Sequence, residues 1–464
     1  MALIKSISGI RGTIGGLQGD NLTPIDILKF TTAFAIIMKN NHPEQTIHVV
    51  VGRDARISGN MVNHVVCGTL LGMGINVIDI GLSTTPTVEM EVIAQKAHGG
   101  IIITASHNPM QWNALKLLNE KGEFFSAQMG KDVLEIAENI DKVDFATATE
   151  LGKYTQVNDA IACHIEAIKQ LDLVDVDAIK NAHFHIAVDC VNSTGGIAIP
   201  QLLKELGVEK VHELNCTPDG MFPHIPEPLP ENLTTTMDYI KHNRVDAGFV
   251  VDPDVDRLAI IQEDGTYFGE EYTLVSVAEY VLSQQSGNTV SNLSSTQALK
   301  IVTEKHGGQY SASAVGEVNV VEEMKRVHAV IGGEGNGGVI YPALHYGRDA
   351  LVGIALFLTA LAKKKITCSA YRQTFPNFFI YKDKIQLTPD INVDNVLAYI
   401  KEKYKNEKVV DIDGVKILFN NEWVHLRKSN TEPIIRIYAE SIDETTAKTR
   451  ANQIRTDIAE YNNR

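Results

Sequence analysis

Residues 46–51 (TIHVVV), 60–72 (NMVNHVVCGTLLG), 76–80 (NVIDI), 87–95 (TVEMEVIAQ) and 100–104 (GIIIT) decide the fold class. The first, third and fifth are short apolar runs rich in β-branched residues, and the second and fourth read as helices. Strand and helix signals alternating in this way predict layered α/β structure. A polar stretch at 141–152 reads as a linker, and the alternation then resumes: strand 185–189, helix 196–206, strand 210–214, helix 232–242, strand 247–251. A third unit follows Arg257, with a hairpin at Asp264 and Gly265, a helix at 271–283, a strand at 289–293 and a long apolar helix ending at Lys365. From 369 onward the pattern changes to longer alternating strands, 377–387 and 415–426, with helices at 393–403 and 444–461, as in a small α+β domain with an antiparallel sheet. The expected division is 1–150, 151–257, 258–368 and 369–464.

A chain of 464 residues is too long for one ordinary core, in keeping with that division. Its 44% hydrophobic and 21% charged residues mark a globular protein. A net charge of −15 argues against nucleic acid or an anionic membrane as the main partner, so an anionic ligand would need locally concentrated cations. The five cysteines are scattered without C-x-x-C spacing, which argues against a disulfide framework or a zinc-ribbon site. The longest apolar stretch, 350–362, falls short of the roughly 20 residues a membrane span needs. The N-terminus lacks an apolar signal core, so a cytoplasmic location is expected.

Four loops carry functional side chains. Thr104-Ala105-Ser106-His107-Asn108-Pro109 follows an apolar strand, which puts the Ser106 hydroxyl on a rigid support, and Lys116 follows ten residues on. Read alone, Ser106 also fits a turn or helix cap, and Lys116 a solvated position. Asp252-Pro253-Asp254-Val255-Asp256-Arg257 places three carboxylates at alternate positions after the strand 247–251, an arrangement whose repulsion a cation would offset. A calcium EF-hand is excluded, because Arg257 stands where its glycine belongs and the flanks read as strands. Three oxygen ligands with open positions suit magnesium, and Arg257 beside them can hold a phosphoryl oxygen or a sugar hydroxyl. Gly332-Gly333-Glu334-Gly335-Asn336-Gly337-Gly338 lets backbone approach a ligand while Glu334 and Asn336 offer sugar-reading groups; a plain tight turn fits equally. Arg427-Lys428-Ser429-Asn430-Thr431-Glu432-Pro433, followed by Arg436, is the local cationic patch that the acidic composition requires, although a solvated turn also fits.

Taken together and in this order, the four loops resemble those of the α-D-phosphohexomutase family over essentially the whole chain. T-A-S-H-N-P is similar to its phosphoserine loop, D-P-D-V-D-R to its magnesium loop, G-E-G-N-G-G to its sugar loop and R-K-S-N-T-E-P to its phosphate loop. Gly9-Ile10-Arg11-Gly12 also resembles the family's N-terminal motif. The resemblance implies three similar α/β domains with mixed sheets and a C-terminal α+β domain resembling the TATA-binding-protein fold, around a central cleft.

It further implies that phosphorylated Ser106 passes its phosphoryl group to a hexose monophosphate. A bound hexose 1,6-bisphosphate, also the activator, would then turn around and return the other group. Ser106, Asp252, Asp254 and Asp256 would hold Mg2+. Lys116, Arg11 and His107 would serve proton transfer and charge stabilisation beside Ser106. Arg257, Gly333, Glu334, Asn336, Arg427, Ser429, Asn430, Thr431 and Arg436 would bind the phosphosugar. The sequence departs from the family at Asn113-Ala114, where a glycine is usual, at Pro253 and Val255 in the metal loop, and at Asn336-Gly337-Gly338, where many bacterial members have serine-glycine-histidine. The expected substrate is glucosamine phosphate, with mannose or glucose phosphate as alternatives. Competing classes are a metal-assisted sugar phosphatase and a non-catalytic phosphosugar binder.

Overall fold

The computed structural model describes residues 3–6, 9–140, 142–386, 392–428 and 434–462. The chain divides into two compact units, one of residues 1–273 with 336–372, the other of residues 274–335 with 373–464.

The β-branched runs form strands. In the first unit one sheet has the order Ile4–Ser6, Gly9–Thr13, Trp112–Leu118, Gly99–Ile103, His48–Arg53, Asn76–Leu82, Tyr154–Gln156. The last four are parallel and the others antiparallel, so the sheet is mixed. Successive side chains of a strand face opposite sides, and here both sides are cores. Val49, Val51, Ile101 and Ile103 pack with Phe34, Val62 and Val66, whereas Val50 and Ile102 pack with Val88 and Val92 of the helix Thr85–Ala94. The seventh strand lies beyond residue 150, where the sequence reading ended the first domain. The polar stretch before it is tied down by Ala146 N donating to Gly72 O (2.9 Å) and Gly152 N to Leu71 O (3.0 Å). Only glycine fits at 152, since a Cβ would lie 1.9 Å from the Ile75 carbonyl oxygen.

The second sheet of this unit runs Leu258–Gln262, Ala247–Val251, His185–Asp189, Lys210–Leu214, again parallel except at one edge. The apolar helix Ala350–Lys364 is buried from Ala350 to Leu361, and Phe357 packs edge-on against Phe249 and Phe268. Its apolarity serves this core, and among the described residues no helix is long and apolar enough to cross a membrane.

In the second unit, strands Tyr310–Ser313, Asn288–Asn292 and Ala329–Glu334 lie parallel in that order. The C-terminal sheet is antiparallel, ordered Phe379–Gln386, Ile434–Ser441, Trp423–Lys428, Val415–Leu418, Lys408–Val410. Helices Val393–Lys403 and Glu444–Asn462 supply Val396, Ile400, Ile454 and Ile458 to the core under Ile417, Leu426, Ile435 and Ile437. The run 415–426, read as one strand, is a hairpin. Phe419 N donates to Glu422 O (2.9 Å), and Asn421 takes a φ of +60°, a conformation asparagine adopts at low cost.

The two parts of this unit are joined by polar contacts. Lys416 Nζ donates to Leu293 O (2.6 Å), Gln297 N donates to Glu440 Oε1 (3.0 Å), and Ser294 Oγ meets His425 Nδ1 (3.0 Å). Burial lowers the His425 imidazole to about 4, against the opposing pull of its bond to Asp413 O. The unfolded chain therefore takes up the proton first as pH falls. The stability contributed by neutral His425 is complete above its ordinary pKa of about 6.5 and is lost between there and 4, on the order of 3 kcal/mol. We expect acidification over this window to destabilise the second unit, and His425→Gln to remove that part of the slope. Denaturant melts followed by Trp423 fluorescence in a Trp112→Phe background provide the check; identical slopes with and without His425 would contradict it.

Candidate active site

Ser106 stands just past the buried strand Gly99–Ile103, with a φ of +49° that costs a non-glycine residue roughly 1–2 kcal/mol. Side chains from the preceding strand end hold it there. Thr104 Oγ1 accepts from Ser106 N (2.9 Å) and donates to Asp54 Oδ2 (2.7 Å). Arg56, 1% exposed, donates Nε to Asp54 Oδ2 (3.0 Å), Nη1 to Pro109 O (2.7 Å) and Trp112 O (3.0 Å), and Nη2 to Ser106 O (2.5 Å) and Asn108 O (2.6 Å). One guanidinium thus ties together four carbonyls of this segment, of which Ser106 O is buried, and neutralises buried Asp54.

The aspartate loop connects antiparallel strands Ala247–Val251 and Leu258–Gln262. Val255 turns it with a φ of +65°, and Ser193 Oγ and Thr194 Oγ1 donate to Pro253 O (2.6 and 3.0 Å). Asp252, Asp254 and Asp256 are fully buried, with one oxygen of each within 4.8 Å of the others. Ser106 Oγ donates to Asp252 Oδ2 (2.7 Å). Lys116 Nζ lies 2.7 Å from Asp254 Oδ2 and 3.5 Å from Asp256 Oδ2. Thr85 Oγ1 donates to Asp254 Oδ2 (2.6 Å) and Arg348 Nη2 to Asp256 Oδ2 (2.7 Å).

Burial, then the charges of Asp256 and Asp254, pushes the Asp252 carboxyl well above the usual carboxylate range. Burial acts the same way on Asp254, but Lys116 outweighs it and holds that carboxyl low. Lys116 is pulled down by burial, and the two aspartates more than offset this, so its ammonium stays charged. Asp254 Oδ1 and Asp256 Oδ1 are buried and accept no hydrogen bond. Buried, unsatisfied carboxylate oxygens gathered on one point fit a hard divalent cation, for which oxygen donors are the preferred set.

Arg11 sits opposite Ala114 in the antiparallel pairing of Gly9–Thr13 with Trp112–Leu118. Burial and Arg257 lower its pKa while Asp254 and Asp256 raise it, which places it in this charge cluster. Burial, with Arg257 and Arg11, lowers His107 to about 2, so His107 is neutral; its Nδ1 lies 3.4 Å from Ser106 Oγ. Arg257 N donates to Asp252 Oδ1 (3.3 Å). Asn336, in the same unit, accepts Gly338 N on Oδ1 (3.3 Å).

The remaining expected residues belong to the second unit. Gly333 and Glu334 end the strand Ala329–Glu334, and Glu334 Oε1 accepts from Asn292 Nδ2 (2.8 Å) and Gly316 N (3.1 Å). Arg427 pairs directly with Arg436, and Arg436 with Lys384, so three cations line one face across three adjacent strands. Like charges placed opposite one another are unfavourable, which suits this row to an anion. Ser429, Asn430 and Thr431 lie outside the described residues.

The sequence reading missed Arg56, Thr85, Arg348 and Lys384. Asp54 and Arg56 do follow an apolar strand, the signal that marked the other loops. Arg348 is 92 residues from its partner, and no local signal joins them. We expect Arg56→Met to cost about 3–5 kcal/mol, because it leaves buried Asp54 without its counter-charge and removes the bond to the buried Ser106 carbonyl. Thermal or denaturant unfolding measures this, and a loss below about 1 kcal/mol would contradict the role given to the guanidinium.

Four family models match in succession: phosphoglucomutase/phosphomannomutase alpha/beta/alpha domain I at residues 3–144, domain II at 162–265, domain III at 269–378 and the C-terminal domain at 385–457. A phosphoglucomutase/phosphomannomutase of Thermococcus kodakarensis is 35% identical over 444 residues, covering 94% of this chain and 95% of that protein. A phosphoglucosamine/phosphogalactosamine mutase of Sulfurisphaera tokodaii is 30% identical over 464 residues, covering 98% and 99%. The crystal structure of a phosphoglucomutase/phosphomannomutase family protein from Burkholderia thailandensis, 24% identical, covers 99% of this chain and 97% of its own with a TM-score of 0.83. Sequence matches in all four domains, on a fold whose serine and aspartate loops meet at Ser106 and Asp252, place this chain in the phosphoglucomutase/phosphomannomutase family of phosphohexomutases, which are isomerases.

Proposed function

We propose that the protein interconverts hexose 1-phosphate and hexose 6-phosphate through phospho-Ser106 and a bound hexose 1,6-bisphosphate. The observation that carries this reading is the 2.7 Å contact of Ser106 Oγ with Asp252, beside two carboxylate oxygens that accept no hydrogen bond. Asp252, Asp254 and Asp256 would hold Mg2+, which when bound neutralises charge on the transferring phosphoryl group. In the forward step the Ser106 Oγ–P bond breaks, a bond forms from phosphorus to the oxygen of the free sugar hydroxyl, and that hydroxyl's proton ends on Ser106 Oγ, which is left as a neutral hydroxyl. The return step restores phospho-Ser106 from the other end of the bisphosphate.

Charged Lys116 and Arg11 would stabilise the negative charge of the transferring group, and neutral His107 would orient Ser106 Oγ. The row Arg427, Arg436 and Lys384, with Ser429, Asn430 and Thr431, would grip the phosphate that is not reacting, and Glu334, Gly333, Asn336 and Arg257 would contact the sugar. Glucosamine phosphate is the favoured substrate, supported by relatives named as phosphoglucosamine mutases; glucose or mannose phosphate is the second reading, supported by the Thermococcus relative.

We expect phosphorus NMR of the enzyme with Mg2+, trace hexose 1,6-bisphosphate and each hexose 1-phosphate in turn to show the 6-phosphate growing in fastest with glucosamine. Inorganic phosphate as the product would point to a phosphatase. Ser106→Ala should lower turnover by at least about 10^3-fold with the fold intact, and near-normal activity would sink the phosphoserine route.

A further inference from the structure

A second set of metal-ligating side chains lies in the first unit, outside the aspartate loop: His164, His345 and Asp349, respectively 1%, 5% and 0% exposed. His164 belongs to the helix Ala160–Lys169, and Asp349 caps the helix Ala350–Lys364. Both imidazoles aim Nε2 at one oxygen, His164 at 2.9 Å and His345 at 3.3 Å from Asp349 Oδ2. Asp349 cannot readily turn away, because its Oδ1 accepts the N–H groups of Leu351 (2.8 Å) and Val352 (3.3 Å).

The far side of each ring is also engaged. His164 Nδ1 lies 2.9 Å from Thr87 Oγ1, and His345 Nδ1 lies 3.3 Å from Glu89 Oε2. A partner on the opposite ring nitrogen is what fixes the tautomer and aim of a metal-binding histidine. Gly347 keeps the space for one of these partners, since a Cβ there would sit 1.8 Å from Glu89 Oε2. Donors about 3.3 Å apart match a tetrahedral ion with bonds of about 2.0–2.1 Å. The two nitrogen–oxygen separations, 2.9 and 3.3 Å, lie within a few tenths of an ångström of this, and the three donor atoms all lie within 4.8 Å of one another. Two imidazoles and a carboxylate suit the zinc class of borderline divalent ions, whereas magnesium prefers oxygen.

We propose that His164, His345 and Asp349 form a second, structural cation site for a zinc-class divalent ion. It joins three segments: the helix Thr85–Ala94, which carries Thr87 and Glu89, the helix Ala160–Lys169, and the start of the helix Ala350–Lys364. Thr85 and Arg348, which contact Asp254 and Asp256, lie on two of these segments, so the ion braces supports of the aspartate loop. The site does not depend on which phosphosugar the enzyme uses.

The test is titration of chelator-treated full-length protein with Co2+ in saturating Mg2+. The expected result is one Co2+ per chain with the visible absorption of a nitrogen-containing, low-coordinate site, retained in Asp256→Asn and lost in His345→Gln. Thr87→Val should weaken binding by about ten- to a hundredfold. Zn2+ should raise the melting midpoint of the Mg2+-saturated wild type by on the order of a few degrees. Complete displacement of Co2+ by Mg2+, an unchanged spectrum in His345→Gln, or no Zn2+ effect on melting would each overturn the site in favour of a cluster held by protons alone. Should His345→Gln fail to fold, the Mg2+ competition and Thr87→Val decide.

Discussion

Burying three carboxylates within 4.8 Å of one another is the constraint around which the first unit is organised. Charges removed from water in such proximity are tolerated only when opposite charge and hydrogen bonds surround them. Lys116 comes from one antiparallel strand and lies between Asp254 and Asp256, Thr85 reaches Asp254 from a helix start, and Arg348 reaches Asp256 from a segment distant in the chain. Even so, two oxygens accept no hydrogen bond and Asp252 is pushed toward its protonated form. The protein supplies most of the compensation and leaves the remainder for a cation.

The second requirement is rigidity. Ser106 and Val255 both take left-handed backbone conformations, a cost that persists only where the surroundings over-determine it. Arg56 and Thr104 provide that for the serine loop, and Ser193 and Thr194 for the aspartate loop. All these groups cluster at ends of parallel strands, where open α/β sheets place their ligand sites. The buried cluster of His164, His345 and Asp349 extends the same support one layer outward.

In the second unit the chemistry is spread over a sheet face. Arg427, Arg436 and Lys384 become neighbours through antiparallel register, which turns three residues separated in the chain into one cationic row. Glu334 is oriented by Asn292 and the Gly316 N–H, so a group proposed to read sugar hydroxyls is itself held in place.

Much of this was legible in the sequence because its signals are local. Alternating β-branched and helical runs specify α/β layers, and the apolar strands Gly99–Ile103 and Ala247–Val251 point to the loops that follow them. Ser106 and the three aspartates could be found that way, since each motif is contiguous. The hairpin within 415–426 was harder, because a turn at Asn421 leaves the hydrophobic alternation on either side nearly unbroken. What only the tertiary structure decided is which distant groups meet: Arg348 with Asp256, Thr85 with Asp254, Arg56 with the serine loop. Charge compensation acts through space, so a buried carboxylate selects its partner by the geometry of the packed layers, and no spacing along the chain records that choice.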